Sequence, residues 1–581
     1  MCGIIGIKGS NATEQAFSGL KALEYRGYDS WGIAYPTNNE FSVEKKTGHI
    51  SNSNPVFSDS SIAIGHTRWA THGNVSERNA HPHLSMDGKI ALVHNGIVEN
   101  FAELKKSLLE KNYAFKSDTD SEIIVNLIQE KMKSENSFEE AVRKSLLEID
   151  GSYAIVAIHQ GEDKLVCARN GSPLVLGFGE SFFVASDATA FIGETKKVYF
   201  LNDNEMSVIS LEPKVFDVAS GKEINFETKE LTWSFEQAQK GSYPHFMLKE
   251  ISEQPKALEL AIEQPKEKLD ELTSLIKSSE KVFLIGCGTS YHACVAGSYF
   301  FSNAGLHVET ILASEFSRVE NFLNEKTLVV ALSQSGETAD LLDAVKAAKK
   351  KGAKIASIVN VMDSSLMRTS DVSILMNAGP EICVLSTKSY TSQLAILLLL
   401  AYSVVGKNDE AKQLVKETAS KIESLISSSK EEMELLAEKL ANKKNIFVIG
   451  RSEAFPAALE SALKIKEVSY IHAEGFAGAE LKHGTIALIE EGTPAIVLCT
   501  PETRAEVLSN AIEMKSRGAL TIGVDSKEHS EFDFNIAVPD CGNANIISLI
   551  IPIQLLSYFL ALKKGFDPDK PRNLAKSVTV K

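Results

Sequence analysis

The sequence contains little that would suit an oxidising compartment or a structural metal. It has seven cysteines, an odd number, at positions 2, 167, 287, 294, 383, 499 and 541. None of them forms a C-x-x-C pair, and no histidine and cysteine cluster has the spacing of a zinc site. A reduced, cytoplasmic compartment is therefore expected, without a metal.

The sequence also lacks a basic surplus and a long uninterrupted apolar run. Its formal net charge is −15, which argues against binding to nucleic acid, because contact with phosphates needs a basic stripe. The start has neither the basic region nor the apolar region of a signal peptide. The apolar stretch 394–405 is shorter than the ~20 residues of a membrane span. The stretch 546–562 is interrupted by Pro552 and polar residues, so both are predicted to be buried core helices.

The 581 residues suggest three or four domains, at about 150 residues each. Up to about residue 235, short β-type runs such as 4–7, 62–64 and 90–93 are interrupted by helical patterns such as 13–23. Strand runs with few regular βαβ units predict an α+β layered domain. The polar stretch 229–242 that follows is predicted to be a linker.

The second part of the chain has a different pattern and repeats internally. From about Lys281, strands alternate with helices, which is typical of a doubly wound parallel sheet. The strand 282–286 (VFLIG) recurs at 446–450 (IFVIG), and the strand ending at Ser333 recurs as one ending at Thr500. The nearly constant offset predicts two copies of one α/β domain.

Cys2 is the first candidate for chemistry. Removal of Met1, which is usual before a small second residue, would place a thiol and a free α-amine on one carbon. An α-amine titrates near pH 8, so it can accept the thiol proton directly or through a water. Taken alone, the alternative that Cys2 merely begins a buried strand is stronger, since free cysteine is commonly buried.

Four polar stretches, three of which contain histidine, supply other groups that an acyl-transfer site needs. They lie at 25–30, 66–73, 79–83 and 94–96. Asn95 and the N–H of Gly96 suit an oxyanion hole, Arg68 suits a substrate carboxylate, and Asp120 suits a substrate ammonium. Each stretch also has an ordinary structural explanation, since Asn-Gly is a common turn dipeptide. Only their combination with Cys2 favours catalysis.

These stretches closely resemble the glutaminase domains of class II glutamine amidotransferases, which use an N-terminal nucleophile. The resemblance rests on Cys2-Gly3-Ile4, HTRWATHG at 66–73, NAHPH at 79–83 and HNG at 94–96. It implies that Cys2 attacks the side-chain amide of glutamine and releases ammonia through a thioester. It also implies a set of residues that shape or hold the glutamine site, namely Arg26, Arg68, Thr71, His72, His81 and Asp120. Trp69 matches a tryptophan that gates an ammonia tunnel, whereas Trp31 stands where relatives usually have a small residue.

Two loops in the first α/β copy have the composition of a phosphate cradle. GCGTS at 286–290 follows one predicted strand, and SQSGET at 333–338 follows the next. Backbone N–H groups at a helix N-terminus with converging hydroxyls can bind phosphate without lysine or arginine, although ordinary helix caps have the same composition. Neighbouring strand ends meet at the edge where open α/β sheets bind ligands. The second copy has GRSE at 450–453 and CTPE at 499–502, and is expected to lack an equivalent site.

These loops resemble sugar isomerase (SIS) domains. The order glutaminase–SIS–SIS, with the ending PRNLAKSVTV at 571–580, resembles the aminotransferases that act on glutamine and fructose 6-phosphate. The implied domains are a glutaminase at 1–235, a linker at 236–250, SIS domains at 251–410 and 411–565, and a C-terminal tail at 566–581. The implied sugar-phosphate site is formed by Thr289, Ser290, Ser333, Gln334, Ser335, Thr338, Val384 and Ser386.

The resemblance also implies a mechanism. Lys576 forms a Schiff base with the C2 carbonyl of fructose 6-phosphate, and ammonia then displaces it. Glu467 moves a proton between C1 and C2 with support from Lys464, and the product is glucosamine 6-phosphate. His483 assists ring opening from the neighbouring subunit of a homodimer. No cofactor or metal is implied.

The spacing of Lys464 and Glu467 places them on one helix face, but a surface ion pair would have the same spacing. Local departures from the family pattern occur at Leu385, Ala479 and Thr485. One alternative is a glutaminase–SIS enzyme that acts on another phospho-sugar. A second alternative, from a different class, is a regulator that senses a sugar phosphate. The combination of Glu467, His483 and Lys576 favours an enzyme over a regulator.

Overall fold

The computed structural model describes residues 2–38, 40–69, 73–231 and 235–579. The chain divides into two compact units. The first comprises Met1–Gln239 together with Ala575–Lys581, and the second comprises Lys240–Leu574.

The first unit is built from two antiparallel sheets and a small set of helices. Its strands are β1 (Gly3–Lys8), β2 (Ser30–Pro36), β3 (Phe41–Thr47), β4 (Ile62–Arg68), β5 (His83–Leu84), β6 (Ile90–Val98), β7 (Gly151–His159), β8 (Leu165–Asn170), β9 (Val175–Phe178), β10 (Phe182–Ala185), β11 (Lys197–Phe200), β12 (Glu205–Ile209), β13 (Pro213–Asp217), β14 (Glu223–Ile224) and β15 (Lys229–Glu230). Its helices are α1 (Ala12–Ala22), α2 (Phe101–Glu110), α3 (Ser121–Lys131), α4 (Phe138–Leu146) and α5 (Phe235–Ala238).

Strand β1 lies in the interior of its sheet. The eight-stranded sheet has the order β15-β11-β9-β10-β1-β4-β2-β3, and the seven-stranded sheet has the order β14-β13-β12-β8-β7-β6-β5. Strand β15 and helix α5 both fall in the polar stretch 229–242, and β15 pairs with β11 at the edge of the first sheet. Part of the stretch predicted as linker is therefore sheet.

Alternating side chains of β1 define the layers of this unit. Ile4 packs between the sheets with Val93 and Val156, whereas Ile5 packs on the opposite face with Ala16 of α1. The outer face of the second sheet packs against α3 and α4. The order of layers is helix, sheet, sheet and helix, which confirms the predicted α+β layered domain.

The two sheets approach closely at Gly6. A Cβ at this position would lie 2.7 Å from Cδ1 of Leu165 and 2.8 Å from Cγ1 of Val156, both on the facing sheet. Real Cβ contacts are longer than this, so a side chain at residue 6 would push the sheets apart. The glycine in the apolar run after Cys2 therefore sets the spacing of the core.

The second unit contains the predicted α/β pair. Its strands are β16 (Lys281–Gly286), β17 (Glu309–Leu312), β18 (Thr327–Ser333), β19 (Lys354–Val359), β20 (Val372–Leu375), β21 (Asn445–Gly450), β22 (His472–Ala477), β23 (Pro494–Leu498), β24 (Leu520–Asp525) and β25 (Phe534–Ala537). Its helices are α6 (Phe246–Ser252), α7 (Gln254–Ala261), α8 (Lys266–Ser278), α9 (Thr289–Asn303), α10 (Ala339–Lys350), α11 (Ser365–Thr369), α12 (Lys388–Val404), α13 (Asn408–Ser428), α14 (Lys430–Leu440), α15 (Ala454–Ser469), α16 (Arg504–Lys515) and α17 (Asn545–Lys563). Helix α6 begins inside the segment 236–250 that was predicted as linker.

The two parallel sheets share one topology. Their orders are β17-β16-β18-β19-β20 and β22-β21-β23-β24-β25, which is 2-1-3-4-5 in each copy. In the first copy, Leu284 packs on one face of the sheet and Phe283 and Ile285 pack on the other. Both predicted doubly wound domains are confirmed. The strand order reverses between β16 and β18, which is where such sheets bind ligands.

The most apolar helices pack inside the second unit. Helix α12 and helix α17 contribute to one hydrophobic core that both α/β copies share. The segment Gly542–Lys563 is long and apolar enough to cross a membrane, with a mean hydropathy of 1.9, but 94% of its most apolar window is buried within the protein. It is packed as a core helix.

Candidate active site

The thiol of Cys2 lies at the start of β1, beside the end of β4. The two strands pair so that Gly3 lies opposite Thr67. The chain that continues from β4 therefore passes Cys2 at Trp69. The backbone N–H of Trp69 donates to Sγ of Cys2 with an N–S distance of 3.2 Å, and the carbonyl oxygen of Trp69 lies 3.5 Å from the same sulphur. Cys2 is half-buried, and its thiol is held in place by the backbone of Trp69.

Asn95 connects the seven-stranded sheet with the candidate nucleophile, Cys2. It lies on β6, and its Nδ2 donates to the carbonyl oxygen of Cys2 at 2.9 Å. The next residue, Gly96, has φ 132°. A Cβ there would lie 2.0 Å from the carbonyl oxygen of Ser152, so the position requires glycine. The predicted nucleophile and the predicted oxyanion residues are therefore neighbours in space.

Four buried histidines lie behind Asn95. Nε2 of His66 is 3.0 Å from Oδ1 of Asn95 and 3.1 Å from the carbonyl oxygen of His94, and both of these atoms are acceptors. His66 stacks on His81 at a centroid distance of 4.1 Å, and His81 contacts His83 at 4.5 Å. Since two acceptors face Nε2, the proton of His66 lies on that nitrogen.

Burial keeps these histidines neutral. It lowers the pKa of His66 to about 3, against the opposing hydrogen bond with Asn95. It lowers the pKa values of His81 and His83 well below the ordinary value, and the neighbouring histidines and Arg68 add to this effect. The pKa of His94 is lowered by burial too, although Asp120 opposes the shift. Sequence reasoning identified only His81 of the four as a site residue.

The described residues that were predicted to hold glutamine, namely Arg26, Arg68, His81 and Asp120, are buried in the same unit. The guanidinium of Arg68 donates to the carbonyl oxygens of Gly73 at 3.1 Å and Asn74 at 3.4 Å. Burial lowers the pKa of Arg68, while Cys2, Asp29 and Asp120 raise it. One of the charges that act on Arg68 is thus Asp120, the carboxylate that is expected to bind the ammonium group of the substrate.

Two more of these residues are anchored by backbone and charge. Asp120 precedes α3, and its Oδ2 accepts from the N–H of Val98 at 2.9 Å. Arg26 pairs with Asp187 at 3.2 Å and donates from Nε to the carbonyl oxygen of Cys2 at 3.4 Å. The predicted glutamine-binding residues Thr71 and His72 lie outside the described residues.

The predicted phosphate loops lie at the reversal of strand order in the first parallel sheet. Oγ of Ser333, at the end of β18, accepts from the N–H of Gly336 at 2.9 Å and lies 3.5 Å from Oγ1 of Thr338. Oγ of Ser335 accepts from the N–H of Glu337 at 3.2 Å. These hydroxyls therefore gather in one tight turn, with backbone N–H groups among them.

The other predicted sugar-site residues connect this turn to its surroundings. Oγ of Ser290, in the first turn of α9, accepts from Nε2 of Gln393 at 3.0 Å. The carbonyl oxygen of Gln334 accepts from the backbone N–H of Asn360, which follows β19, at 3.2 Å. Val384 is buried, and the carbonyl oxygen of Ser386 accepts from Nζ of Lys464 at 3.3 Å. Ser386 is thus the point where the sugar-site residues meet the ionic groups of α15.

Lys464 and Glu467 form an ion pair within the protein rather than on its surface. Nζ of Lys464 lies 2.8 Å from Oε2 of Glu467 and 3.2 Å from Oε1 of Glu460, and the side chains of Lys464 and Glu460 are fully buried. Burial opposes the charge of Lys464, but the two carboxylates outweigh it and raise its pKa. The same Nζ donates to Oγ1 of Thr289 at 3.0 Å, which joins α15 to the first phosphate loop.

Glu460 and His292 belong to this network and were not predicted from the sequence. Glu460 accepts from Oγ1 of Thr289 at 3.0 Å, and its other oxygen lies 2.7 Å from Nδ1 of His292. Burial opposes ionisation of Glu460, yet Lys464 and His292 together lower its pKa. Glu460 lies four residues before Lys464, so the helical spacing could have identified it. His292 lies on α9, and no pattern in the sequence connects it with α15.

The remaining predicted catalytic residues are His483 and Lys576. His483 ends a short 3-10 segment, Gly478–His483, and is exposed. Lys576 lies in the C-terminal segment that belongs to the first unit.

The second α/β copy has ion pairs at the corresponding sheet edge. Asp525, at the end of β24, accepts from Nε and Nη2 of Arg504 at 2.8 and 2.7 Å, and from Nε2 of His529 at 2.8 Å. A carboxylate at this edge would repel a phosphate.

Comparison with known proteins matches these two kinds of domain. The family described as "SIS domain" matches residues 274–403 and 439–534, and the family described as "Glutamine amidotransferase domain" matches residues 66–193. Among curated proteins, the "Glutamine--fructose-6-phosphate aminotransferase [isomerizing]" of Thermococcus kodakarensis is 44% identical over 602 residues, with 100% of both chains covered. The protein of the same name from Pyrococcus horikoshii is 43% identical over 598 residues, again with 100% of both chains covered.

Solved structures resemble the second unit. The C-terminal domain of glucosamine-fructose-6-phosphate aminotransferase from Francisella tularensis aligns with a TM-score of 0.53 and 34% identity, over 57% of this chain and 100% of that one. A putative phosphosugar isomerase from Silicibacter pomeroyi aligns with a TM-score of 0.51 and 24% identity, over 56% of this chain and 100% of that one. The second similarity concerns the fold alone.

Proposed function

The chain belongs to the glutamine–fructose-6-phosphate aminotransferase (isomerizing) family, and from this premise we propose that it makes glucosamine 6-phosphate from glutamine and fructose 6-phosphate. One observation favours this function over that of a protein that only senses sugar phosphates. Lys464, which is fully buried and pairs with Glu467, contacts the first predicted phosphate loop through Thr289. A sensor needs only the loops, whereas an isomerising enzyme also needs a base beside the substrate carbons.

In the first unit, the thiolate of Cys2 attacks the side-chain carbonyl carbon of glutamine. Nδ2 of Asn95 has two hydrogens, of which one binds the carbonyl oxygen of Cys2 and the other is available to the oxyanion, together with the N–H of Gly96. Collapse of the tetrahedral intermediate releases ammonia and leaves a thioester, which water hydrolyses to glutamate.

The glutamine is held by its α-carboxylate and α-ammonium groups. Arg68 binds the carboxylate and Asp120 binds the ammonium, because each offers the opposite charge. The remaining predicted residues shape the pocket, namely Arg26, Thr71, His72 and His81. Trp69, whose backbone holds the thiol, gates the route by which ammonia leaves.

In the second unit, the hydroxyls of Ser290, Ser333, Ser335 and Thr338, with Gln334, hold the sugar phosphate, and Val384 and Ser386 line the sugar. The amine of Lys576 adds to the C2 carbonyl and expels water to form a Schiff base. Ammonia then adds to C2 and displaces Lys576, which leaves an imine of the sugar.

Glu467 completes the isomerisation. Its carboxylate removes a proton from C1 and returns one to C2, which converts the ketose imine into the 2-amino aldose, glucosamine 6-phosphate. The ammonium of Lys464 favours the ionised form of Glu467, which is the form that acts as a base. His483 assists opening of the sugar ring before the Schiff base forms.

We infer a cytoplasmic homodimer in which His483 acts in the site of the neighbouring subunit. Its exposure in the single chain is compatible with this role. Co-expression of His483→Ala and Glu467→Gln chains tests it. Heterodimers would then contain one intact site, and about a quarter of wild-type activity should return. If His483 acts within its own chain, the mixture stays as inactive as the two variants.

The overall function is tested by incubating the protein with glutamine and fructose 6-phosphate and assaying glucosamine 6-phosphate. The Cys2→Ala variant should lose glutamine-dependent synthesis and keep isomerisation of fructose 6-phosphate. Formation of glutamate and free ammonia alone would refute the synthase. Other ketose phosphates, offered in parallel, identify a different acceptor. A Lys576→Ala variant that keeps full synthesis would refute the Schiff-base step.

A further inference from the structure

His292 anchors the ionic network of the second unit from a different helix. It lies three residues after Thr289 on α9, and its Nδ1 is 2.7 Å from Oε2 of Glu460. The side chain of Glu460 is fully buried, and that of His292 is 15% exposed. A buried carboxylate needs hydrogen bonds to both oxygens, and His292 supplies one to Oε2.

The other oxygen of Glu460 orients two groups beside the sugar site. Oε1 accepts from Oγ1 of Thr289 at 3.0 Å and lies 3.2 Å from Nζ of Lys464. Thr289 therefore directs its hydroxyl hydrogen to Glu460 and accepts from Lys464 at 3.0 Å. Lys464 in turn lies 2.8 Å from Glu467. The orientation of the Glu460 carboxylate thus determines the positions of the Thr289 hydroxyl and the Lys464 ammonium group.

We propose that His292 is a positioning residue for the isomerisation step, through its N–H hydrogen bond to Glu460. This inference rests on the proposed function, in which Glu467 moves the proton between C1 and C2. Without His292, the carboxylate of Glu460 rotates or takes up a proton, and Lys464 loses the partner that balances Glu467. Glu467 is then displaced from the carbon that it must reach. The hydroxyls of Ser333 and Thr338 make hydrogen bonds within their own turn after β18, so binding of the sugar phosphate group should change little.

The geometry distinguishes between two amide replacements. The contact is made by Nδ1, and the amide nitrogen of asparagine can occupy nearly the same place as Nδ1. The amide nitrogen of glutamine reaches the place of Nε2, which does not contact Glu460. His292→Asn should therefore restore the bond, whereas His292→Gln and His292→Leu should not.

The second α/β copy offers a matched control. Nε2 of His529 lies 2.8 Å from Oδ2 of Asp525, and the side chain of His529 is 14% exposed. The pair has nearly the same distance and burial as His292 and Glu460, although the contact is made by Nε2 and not by Nδ1. The sheet edge there holds no predicted sugar residues. His529→Leu therefore reports the structural cost of losing such a bond.

The experiment measures isomerisation of fructose 6-phosphate and hydrolysis of glutamine in the full-length variants. His292→Leu should lower kcat of isomerisation about tenfold or more with KM within about twofold, because misplacement of a base affects the chemical step. For His292→Asn and for the control His529→Leu, kcat of isomerisation should stay within about threefold of the wild-type value. Hydrolysis of glutamine should not change in any of them.

Two results would overturn the inference. One is isomerisation by His292→Leu at the rate of His529→Leu, and the other is equal rescue by glutamine and asparagine. If the leucine variant fails to fold, as judged by urea unfolding of the full-length protein followed by circular dichroism, the comparison of asparagine with glutamine decides. Failure of the proposed function is separate, since wild type itself would then make no amino sugar.

Discussion

Nε2 of His66 lies 3.0 Å from Oδ1 of Asn95, and the bond joins the two sheets of the first unit. His66 is on β4 and Asn95 is on β6. Because Nε2 carries a hydrogen, it must face the amide oxygen, and this leaves the NH2 group of Asn95 to face Cys2. The imidazole thus decides which end of the amide reaches the developing oxyanion.

Replacement of His66 should therefore impair hydrolysis of glutamine selectively. His66→Leu removes the donor and allows the amide to turn, and kcat should fall about 10- to 100-fold, somewhat less than for loss of an oxyanion donor. His66→Gln places an amide nitrogen near Nε2 and should keep most of the activity. Steady-state assays of glutamate release give the comparison, with isomerisation of fructose 6-phosphate as the control. Equal activity of the leucine variant would refute this role of His66.

Acid should unfold the first unit because its buried histidines are neutral. The pKa of His66 is about 3 in the folded protein, and those of His81 and His83 are also far below the unfolded value of about 6.5. Below pH 6.5 the unfolded chain binds more protons than the folded one, so stability falls as pH falls. The loss is up to about 1.4 kcal/mol per pH unit for each histidine, down to the folded pKa.

Tryptophan fluorescence can follow unfolding of the first unit without a signal from the second unit. The sequence has three tryptophans, Trp31, Trp69 and Trp233, and all of them precede Lys240, where the second unit begins. Urea titrations at pH 7, 6 and 5 should give a steadily decreasing free energy of unfolding. His66→Gln should reduce the slope against pH by up to about 1.4 kcal/mol per unit. A stability independent of pH between 7 and 5 would contradict the neutral state of these histidines.

The phosphate loop of the first copy should affect sugar binding where its counterpart in the second copy does not. Ser333→Ala removes a hydroxyl at the end of β18, and KM for fructose 6-phosphate should rise about tenfold or more, as expected for a hydrogen bond to a charged group. Thr500→Ala changes the matching strand end of the second copy and should leave KM unchanged. Initial rates measured over a range of fructose 6-phosphate concentrations give KM for wild type and for both variants. A shared effect would indicate that both copies bind phosphate.

Gly6→Ala should destabilise the first unit by about 1 to 3 kcal/mol, the cost of overpacking a core. The added methyl would lie 2.7 Å from Leu165 and 2.8 Å from Val156. Gly179→Ala is the control, because Gly179 is exposed and its Cβ would approach no atom closer than 3.3 Å. Urea unfolding followed by tryptophan fluorescence should show a change within about 0.5 kcal/mol for the control. Equal stability of the two variants would show that the sheets can separate at no cost.

Local patterns predicted the elements well where their residues were apolar. The runs 62–64 and 90–93 lie inside β4 and β6, but these strands continue to Arg68 and Val98. The extensions contain the polar stretches that carry the candidate chemistry. Hydrophobic alternation ends at such residues, whereas the backbone pairing with neighbouring strands does not, so the strands were predicted too short.

The sequence by itself determined the domain order, the internal repeat and the loops at the strand ends, because each is encoded in consecutive residues. It also placed Lys464 and Glu467 on one face of a helix. Whether that face was buried depended on the packing of α15 against α9 and α17. The contact between His292 and Glu460 joins residues 168 positions apart. Periodicity reports which side of an element is apolar and not which element covers it, so only the tertiary structure decided these partners.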